Sequence, residues 1–398
     1  MNKIVQKFGG TSVATPESRE KVINKIIAAK AQDEFPIVVV SAIGRKGSPY
    51  ATDTLIDFVN TSAGVITDRE YDLLLSCGEI ISAVMIATLL CNKGYKAKAL
   101  TGGQAGIITD NHYKNADLLH IKTNTIEACQ EQNIIPVIAG FQGATSDGEV
   151  TTLGRGGSDT TASILAMGLA ADRIEIYTDV DGIMTADPRV CEKARIIPSL
   201  SYNEVFQMAD SGAKVIHPRA VEYAMRANIP LIIKNTFTDE EGTTIIQTTK
   251  DVPSKENDHV ITSIAHRNNR VQVTVQDSVL SDKNLLDQVA KENVSIDLIN
   301  IFPQYKVFTI DEDHKLKLET LLQKMNYKYT LMEGCSKVTV IGERMTGVPG
   351  VMARILKAFS KAKVEMLQTA DSLTTIACLI KKENLTKAIN ALHDEFLL

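Results

Sequence analysis

Residues 35–42 read FPIVVVSA, an apolar, β-branched run with no polar residue at alternate positions. A strand of this kind is buried on both faces, because a half-exposed strand would alternate. Comparable segments recur: KIVQKFG near the N-terminus, YKAKALTG, IIPVIAGF (134–141), RIEIYTDV (173–180) and IPLIIKNT (229–236). Helix-like stretches lie between them, among them SREKVINKIIAAKAQ and LLLSCGEIISAVMIATLLCNKG, the latter entered near Gly78. Buried strands alternating with helices predict a three-layer α/β domain on a mainly parallel sheet. Ligands of such sheets bind outside the carboxyl ends of the strands. The glycine motifs fall at those ends: Gly9-Gly10, Ser41 with Gly44, Gly102-Gly103 and Gly140.

The pattern breaks at TTKDVPSKENDH (248–259), which is polar and of mixed charge and reads as a linker. Beyond it a β-α-β-β-α order occurs twice. RVQVTVQD, NLLDQVAKEN, VSIDLINIF, KVFTID and KLKLETLLQKMN form the first copy. SKVTVIGE, GVMARILKAFSKAK, VEMLQTAD, TTIACLIKK and NLTKAINALHDEF form the second. Val294 and Val364 hold equivalent places about seventy residues apart, as do Leu322 and Leu392. Units of that size are small for independent cores, so the copies are expected to pair with each other or with another chain. The spacing predicts two ferredoxin-like α+β repeats. The expected boundaries are a first domain over 1–247, a linker over 248–261 and repeats over 262–335 and 336–398.

A net charge of −5 argues against a nucleic-acid partner, which calls for a basic stripe. The six cysteines contain no C-x-x-C pair and sit mostly among apolar neighbours, as expected of reduced, buried thiols in a cytoplasmic protein. The seven histidines show no ligand spacing, so no structural metal site is expected. The N-terminus has no apolar signal core. The longest apolar stretch, IISAVMIATLLC (80–91), falls short of the ~18 residues of a membrane span and reads as a buried helix.

Five motifs carry chemistry. In KFGGTS, two glycines at a strand end let successive N–H groups form an anion nest, and Lys7 is placed to reach a transferred phosphoryl group. The lysine precedes the glycines, so this is not a P-loop. In TTLGRGGSDTTA, Gly154, Gly156 and Gly157 precede a helix beginning near Ser158, which aims backbone donors at an anion. Arg155 within that loop suits bidentate capture of a carboxylate, and Asp159 lies in the first helical turn. YTDVDGIMTADPR (177–189) reads either as turn chemistry or as a nucleotide pocket. GAKVIHPRA (212–220) offers a second cation, Lys214, with Pro218 suited to a first helical position. In CGEII, Glu79 either serves a helix dipole or meets a substrate ammonium.

Taken together and in order, K-F-G-G-T-S, G-R-G-G-S-D-T-T-A, T-D-V-x-G-I-x-T-A-D-P-R, G-A-K-V-I-H-P-R-A and the C-terminal M-x-G-V-P-G-V resemble the aspartokinases. These are amino-acid kinases with tandem ACT repeats. The resemblance covers essentially the whole chain and is strongest to the short Bacillus-type enzymes, including the diaminopimelate-sensitive isozyme. It implies phosphorylation of the β-carboxylate of L-aspartate by MgATP. Lys7, Phe8, Gly9, Gly10 and Ser12 match phosphate-cradling positions; Lys7 and Lys214 would stabilise the group in transit, and Asp159 would orient the lysines. Thr178, Asp179, Met184, Asp187, Arg189 and Val215, with Lys214, match the nucleotide side. Ser41, Thr52, Glu79, Arg155, Gly156, Gly157 and Ser158 match the aspartate side, with Glu79 facing the ammonium and Arg155 the α-carboxylate.

In the first repeat, Ser295 and Asp297 match an effector site for lysine, threonine or diaminopimelate. The first repeat departs from the family in having SVLSDKNLLD where the second has the glycine-proline entry GVPGVMARI. The resemblance also implies a homo-oligomer formed through the ACT repeats. A carboxylate nucleophile, with a pKa of about 3.9, needs no general base, so a site without histidine suits this chemistry. The demand is for cations and helix ends around the transferring oxygens. Other amino-acid kinases, acting on acetylglutamate or uridylate, would not need the tandem repeats. A catalytically inactive sensor would not need Lys7, Arg155 and Asp159.

Overall fold

The computed structural model describes residues 1–62, 64–213, 216–247, 260–276, 285–345 and 347–398. The chain divides into two compact units. One comprises Met1–Ile183, Ile196–Phe206 and Lys214–Asp251; the other comprises Met184–Arg195, Gln207–Ala213 and Val252–Leu398. The expected linker falls almost entirely outside the described residues.

The first part of the chain runs β1 (Asn2–Phe8), α1 (Pro16–Ala31), β2 (Glu34–Val40), α2 (Thr52–Ser62), α3 (Asp68–Asn92), β3 (Ala97–Leu100), β4 (Ile107–Thr109), β5 (Leu118–Ile121), α4 (Asn124–Glu131), β6 (Ile135–Ala139), β7 (Gln142–Ala144), β8 (Val150–Thr152), α5 (Gly157–Leu169), β9 (Arg173–Thr178), β10 (Ser199–Ser201), α6 (Tyr202–Asp210), α7 (Pro218–Ala227), β11 (Leu231–Asn235) and β12 (Thr243–Ile246). An eight-stranded sheet has the order β10-β12-β11-β9-β1-β2-β6-β3. It is parallel except where β12 runs against β11. All seven residues of β2 are buried, as its unalternated sequence requires. The apolar sides of α1 and α3 cover one face through Ile26, Ile86 and Leu90 against Val38, Val40 and Val137. A second sheet, β5-β4-β7-β8, consists of strands of three or four residues, too short to leave a periodic signal in the sequence.

Three expectations need correction here. Gly78 does not open α3 but sits in its interior, ten residues from the start. A Cβ there would lie 2.9 Å from both the Ala42 Cβ and the Tyr50 carbonyl, so the glycine serves close approach of the loop above it. The expected burial of this helix holds for one side only, since Leu73, Ile81, Val84 and Met85 are exposed. The cysteines also divide: four are buried, while Cys77 and Cys91 are exposed.

The second unit contains β13 (Ser263–Gln276), α8 (Leu285–Lys291), β14 (Ile299–Ile301), β15 (Lys306–Asp311), α9 (Lys315–Lys324), β16 (Lys328–Ile341), α10 (Val351–Lys361), β17 (Gln368–Asp371), β18 (Thr375–Lys381) and α11 (Leu385–Phe396). These strands form one six-stranded sheet, β14-β15-β13-β16-β18-β17. β13 and β16 are longer than the sequence pattern suggested. The carboxyl half of β13 pairs with β15 of the first repeat, while its amino half, Ser263–Arg267, pairs with the Lys337–Ile341 portion of β16. A bulge between Arg267 and Arg270, with Asn269 at φ 57°, lets one strand serve both repeats. The polar sequence HRNNR conceals the amino half of that strand, because it shows no apolar alternation. The first and last strands of the sheet also approach each other. The Gln368 amide donates to Asn300 Oδ1 at 2.7 Å, and the Gln272 amide donates to Gln368 Oε1 at 3.0 Å. The repeats are thus paired with each other, one of the two arrangements their small size allowed.

The strand expected over 294–302 begins at Ile299. Asp297 and Leu298 still exchange backbone hydrogen bonds with Thr309. Asp297 is not a free surface carboxylate. It meets Arg270 Nη2 at 2.8 Å and Lys337 Nζ at 2.7 Å, and Arg270 also pairs with Asp311. Arg270 is 2% exposed. Removing one partner from a buried ion cluster strands the others, so Arg270→Ala should cost about 3–5 kcal/mol in denaturant unfolding of the second unit. A loss below about 1 kcal/mol, the surface-pair range, would refute the cluster's structural role.

Candidate active site

The carboxyl ends of β1, β2, β6, β9 and β11 are stitched together by backbone bonds. Gly9 N–H donates to Tyr177 O at 3.1 Å, Ser41 N–H to Phe8 O at 3.1 Å, Gly140 N–H to Val40 O at 3.0 Å and Thr236 N–H to Thr178 O at 2.9 Å. The turn Gly9-Gly10 is therefore flanked by the loop after β2 on one side and the end of β9 on the other. Gly10 N–H chemistry depends on the absence of a side chain. A Cβ on Gly10 would fall 2.5 Å from Gly44 O and 2.7 Å from Ala42 O, both backbone atoms. Gly10→Ala should accordingly cost about 1–3 kcal/mol in thermal unfolding by overpacking. An unchanged melting temperature would show that the loop can yield.

Lys7 projects from the end of β1 and pairs with Asp159 in the first turn of α5 at 2.6 Å. Both side chains are largely buried. The amino end of α5 is capped by Gly156, at φ 70°, with no side-chain oxygen bonded to the first amides. Such an end suits an incoming anion. A Cβ on Gly156 would lie 2.3 Å from the His217 Cβ, so glycine is obligatory there on two counts. His217 caps α7, and Pro218 occupies its first turn as expected. Burial and the nearby arginines Arg219 and Arg155 lower its pKa, opposed by Asp159. The proximity of His217 to the glycine loop had no sequence signal, because the two are joined only by packing of α5 on α7.

Glu79 lies on the inward side of α3 and is 3% exposed. Its Oε1 accepts from Ala42 N–H at 3.2 Å, while Oε2 has no hydrogen-bond partner. Desolvation pushes its carboxyl up to about 8, despite the hydrogen bonds from its own backbone and from Ala42. Its position inside the helix, not at its start, separates it from a dipole role. Thr52 begins α2 and is half-buried, as is Ser41. Gly157 and Ser158 are buried in the first turn of α5, and Arg155 is exposed and has no ion-pair partner among the described residues.

Several expected nucleotide residues stand differently. Phe8 buries its ring in the core, stacked on Tyr177 with centroids 4.8 Å apart, so only its backbone borders the site. Ser12 is also buried and its hydroxyl is shared with Thr236 at 2.6 Å. Thr178 and Asp179 end β9 as expected, and Asp179 pairs with Arg45 at 2.5 Å across the glycine turn. Sequence reasoning passed over Arg45, 134 residues away from its partner. Met184, Asp187 and Arg189 belong to the second unit, where Asp187 pairs with Arg189 at 2.7 Å. In that unit the Thr185 hydroxyl also meets His393 Nε2 at 2.9 Å. Lys214 and Val215 lie outside the described residues. Ser295 is exposed in the second unit.

A buried lysine-carboxylate pair beside a glycine turn and an open helix end is the equipment of a phosphoryl-transfer site. Residues 2–235 match the amino acid kinase family, and residues 331–394 match the ACT domain. Aspartokinase 1 of Bacillus subtilis is 41% identical, covering 100% of this chain and 99% of the relative. The aspartokinase of Geobacillus stearothermophilus is 36% identical, with 100% and 97% covered. The fold is shared with Clostridium acetobutylicum aspartate kinase at a TM-score of 0.81 and 23% identity, covering 100% of both chains. It is shared also with E. coli aspartokinase III in complex with aspartate and ADP, at a TM-score of 0.78 and 23% identity, covering 99% and 100%. This chain belongs to the aspartokinases, kinases that use ATP.

Proposed function

We propose that this chain moves the γ-phosphoryl group of ATP to the β-carboxylate of L-aspartate, giving 4-phospho-L-aspartate, and that its ACT repeats sense an end-product amino acid. The observation that carries the reading is Lys7, held by Asp159 at 2.6 Å between the glycine turn and the amino end of α5. E. coli aspartokinase III has been solved with aspartate and ADP, and also with lysine and aspartate.

The nucleotide phosphates lie over Gly9, Gly10 and the first amides of α5, with Thr178 and Asp179 toward the nucleoside. Glu79 receives the substrate ammonium and Arg155 its α-carboxylate, while Ser41, Thr52, Gly156, Gly157 and Ser158 line the same side. A β-carboxylate oxygen then forms the new bond to the γ-phosphorus as the bond to the ADP oxygen breaks. No proton moves, so no general base is required. Lys7 meets charge building on the transferring oxygens and Asp159 fixes its direction. Lys214 is assigned the second cation.

No group of three or more His, Cys, Asp or Glu side chains able to hold a metal occurs among the described residues. Mg²⁺ is assigned to the phosphates, which it commonly joins with few protein ligands. Mg²⁺ bound there would neutralise charge between the β- and γ-phosphates.

A hydroxamate-trapping assay with aspartate, glutamate and acetylglutamate tests the reaction. Hydroxamate from aspartate alone is expected, and product from another acceptor would overturn the assignment. For the ACT repeats, calorimetry with lysine, threonine and diaminopimelate is expected to give binding by one of them, with Ser295 and Asp297 at the site. No heat from any of the three would remove that role.

A further inference from the structure

We infer that Arg219 is a positioning residue for the aspartate side of the reaction, because it fixes the loop that carries Arg155; the inference rests on the role given to Arg155 above. Arg155 lies between Gly154, at φ 74°, and Gly156, at φ 70°. Glycines in that region leave a loop many conformations to lose, so the direction of a side chain between them must be set from outside the loop. Arg155 is exposed, and its own packing does not hold it.

The ties come from two largely buried charges on different helices. Arg219, in the first turn of α7, donates through Nη1 to Leu153 O at 2.9 Å. Through Nη2 it donates to Ala116 O and to Asp117 Oδ1, both at 2.7 Å. Asp72 on α3 is 0% exposed. It accepts from Thr152 N–H and the Thr152 hydroxyl, both at 2.8 Å, and from Lys114 N–H at 2.9 Å. Thr152 and Leu153 directly precede the glycine loop, and each is thus held by an ion. The neighbouring segment 114–117 is held by the same two ions, and its Ala116 N–H donates to Thr152 O at 2.9 Å. On the far side of Arg155, Gly156 lies against His217, the residue that caps α7. The amino end of α7 therefore grips the loop both before and after Arg155.

Sheet pairing cannot do this. β8 is three residues long and its ladder with β7 ends at Thr152. Leu153 O lies beyond that ladder, and Arg219 supplies its partner. A planar fork can bridge the Leu153 and Ala116 carbonyls at once, which the point charge of a lysine cannot. The α-carboxylate assigned to Arg155 keeps its charge throughout the transfer. Its contact is therefore equally strong in ground and transition states, and misaiming it shows in KM and not in kcat.

Steady-state kinetics of the full-length chain with Arg219→Ala, Arg155→Ala and both together tests this. Arg219→Ala is expected to raise KM for aspartate on the order of tenfold, with kcat and KM for ATP nearly unchanged. In the Arg155→Ala background the same substitution should add less than about twofold, since the group it aims is gone. A merely structural role would instead lower kcat through loss of folded enzyme, and its effect would multiply with that of Arg155→Ala. Arg219→Lys keeps a charge beside Asp117, supplies a folded variant should Arg219→Ala not fold, and is expected to show the same rise in KM. A wild-type KM for aspartate in either folded variant, or effects that multiply in the double variant, would overturn the inference alone. Arg155→Ala with a wild-type KM for aspartate would overturn the assignment of Arg155 and this inference with it.

Discussion

Lys7→Ala is expected to lower kcat by about 10²–10³-fold, the range seen when one donor to a developing oxyanion is removed. The Michaelis constant for ATP should move far less. In the proposed arrangement the glycine turn and the open end of α5 would hold the ground-state phosphates, whereas the lysine would meet charge that builds only during transfer. Because Lys7 is paired with Asp159 in a largely buried setting, its loss also strands a carboxylate, so the variant needs a melting curve beside its kinetics. Lys7→Arg keeps the charge but not its reach and should recover folding before it recovers rate. Steady-state kinetics in which Lys7→Ala raises only the Michaelis constant for ATP would assign the lysine to nucleotide binding and not to transfer.

The second large effect belongs to Glu79. Glu79→Gln is expected to raise the Michaelis constant for aspartate roughly 10–100-fold, the equivalent of one hydrogen bond to a charged group at about 1.5–3 kcal/mol. Its pH dependence carries more information. Burial raises the carboxyl to about 8, so the free enzyme holds it mainly neutral at pH 7, and in the proposed role it would have to ionise to take an ammonium. In the wild type, kcat/KM for aspartate should climb about tenfold per pH unit below that value and flatten above it. The Gln variant should lose this limb.

Stability runs the other way. The folded-state pKa lies above the unfolded one, so the contribution of Glu79 is full below the unfolded value, about 4.3, and is lost as pH rises through 8. Glu79→Gln should therefore gain melting temperature on the wild type between pH 5 and pH 9. Identical pH profiles for the two proteins would leave Glu79 without a part in binding.

The strands of the large sheet were legible because parallel burial leaves unbroken apolar runs, and β2 is the clearest of them. The glycine turn and the loop before α5 were legible for a related reason. Both demand residues without a Cβ, and Gly10 and Gly156 each face a neighbour too close for one. Elsewhere the sequence misled through local resemblance. Ser76-Cys77-Gly78 looks like the start of a helix, yet the helix begins at Asp68, and Gly78 is there so that the Tyr50 carbonyl can approach. The strand read from RVQVTVQD is in fact fourteen residues long, and the polar HRNNR that carries its bulge gives no apolar alternation to extend it.

Pairings between distant residues had no local signature. Arg45 with Asp179 and Arg270 with Asp311 follow from which strand ends lie side by side, and only the folded sheet decides that. Phe8 illustrates the limit of motif matching. It sits within the phosphate motif, but its ring belongs to the core beneath.

β13 and β16 have a consequence for how this protein can be rearranged. The sheet of the second repeat contains the amino half of β13, which precedes the entire first repeat in the chain. β16 then crosses from one repeat to the other as a single strand. A gene fragment starting at residue 336 would therefore encode a repeat with one edge missing. One ending at residue 335 would cut a strand in mid-ladder. The pair is therefore not divisible, and it also leans on Met184–Arg195, whose Ala186 and Cys191 share its core, so a fusion or transplantation of this module has no usable seam inside it.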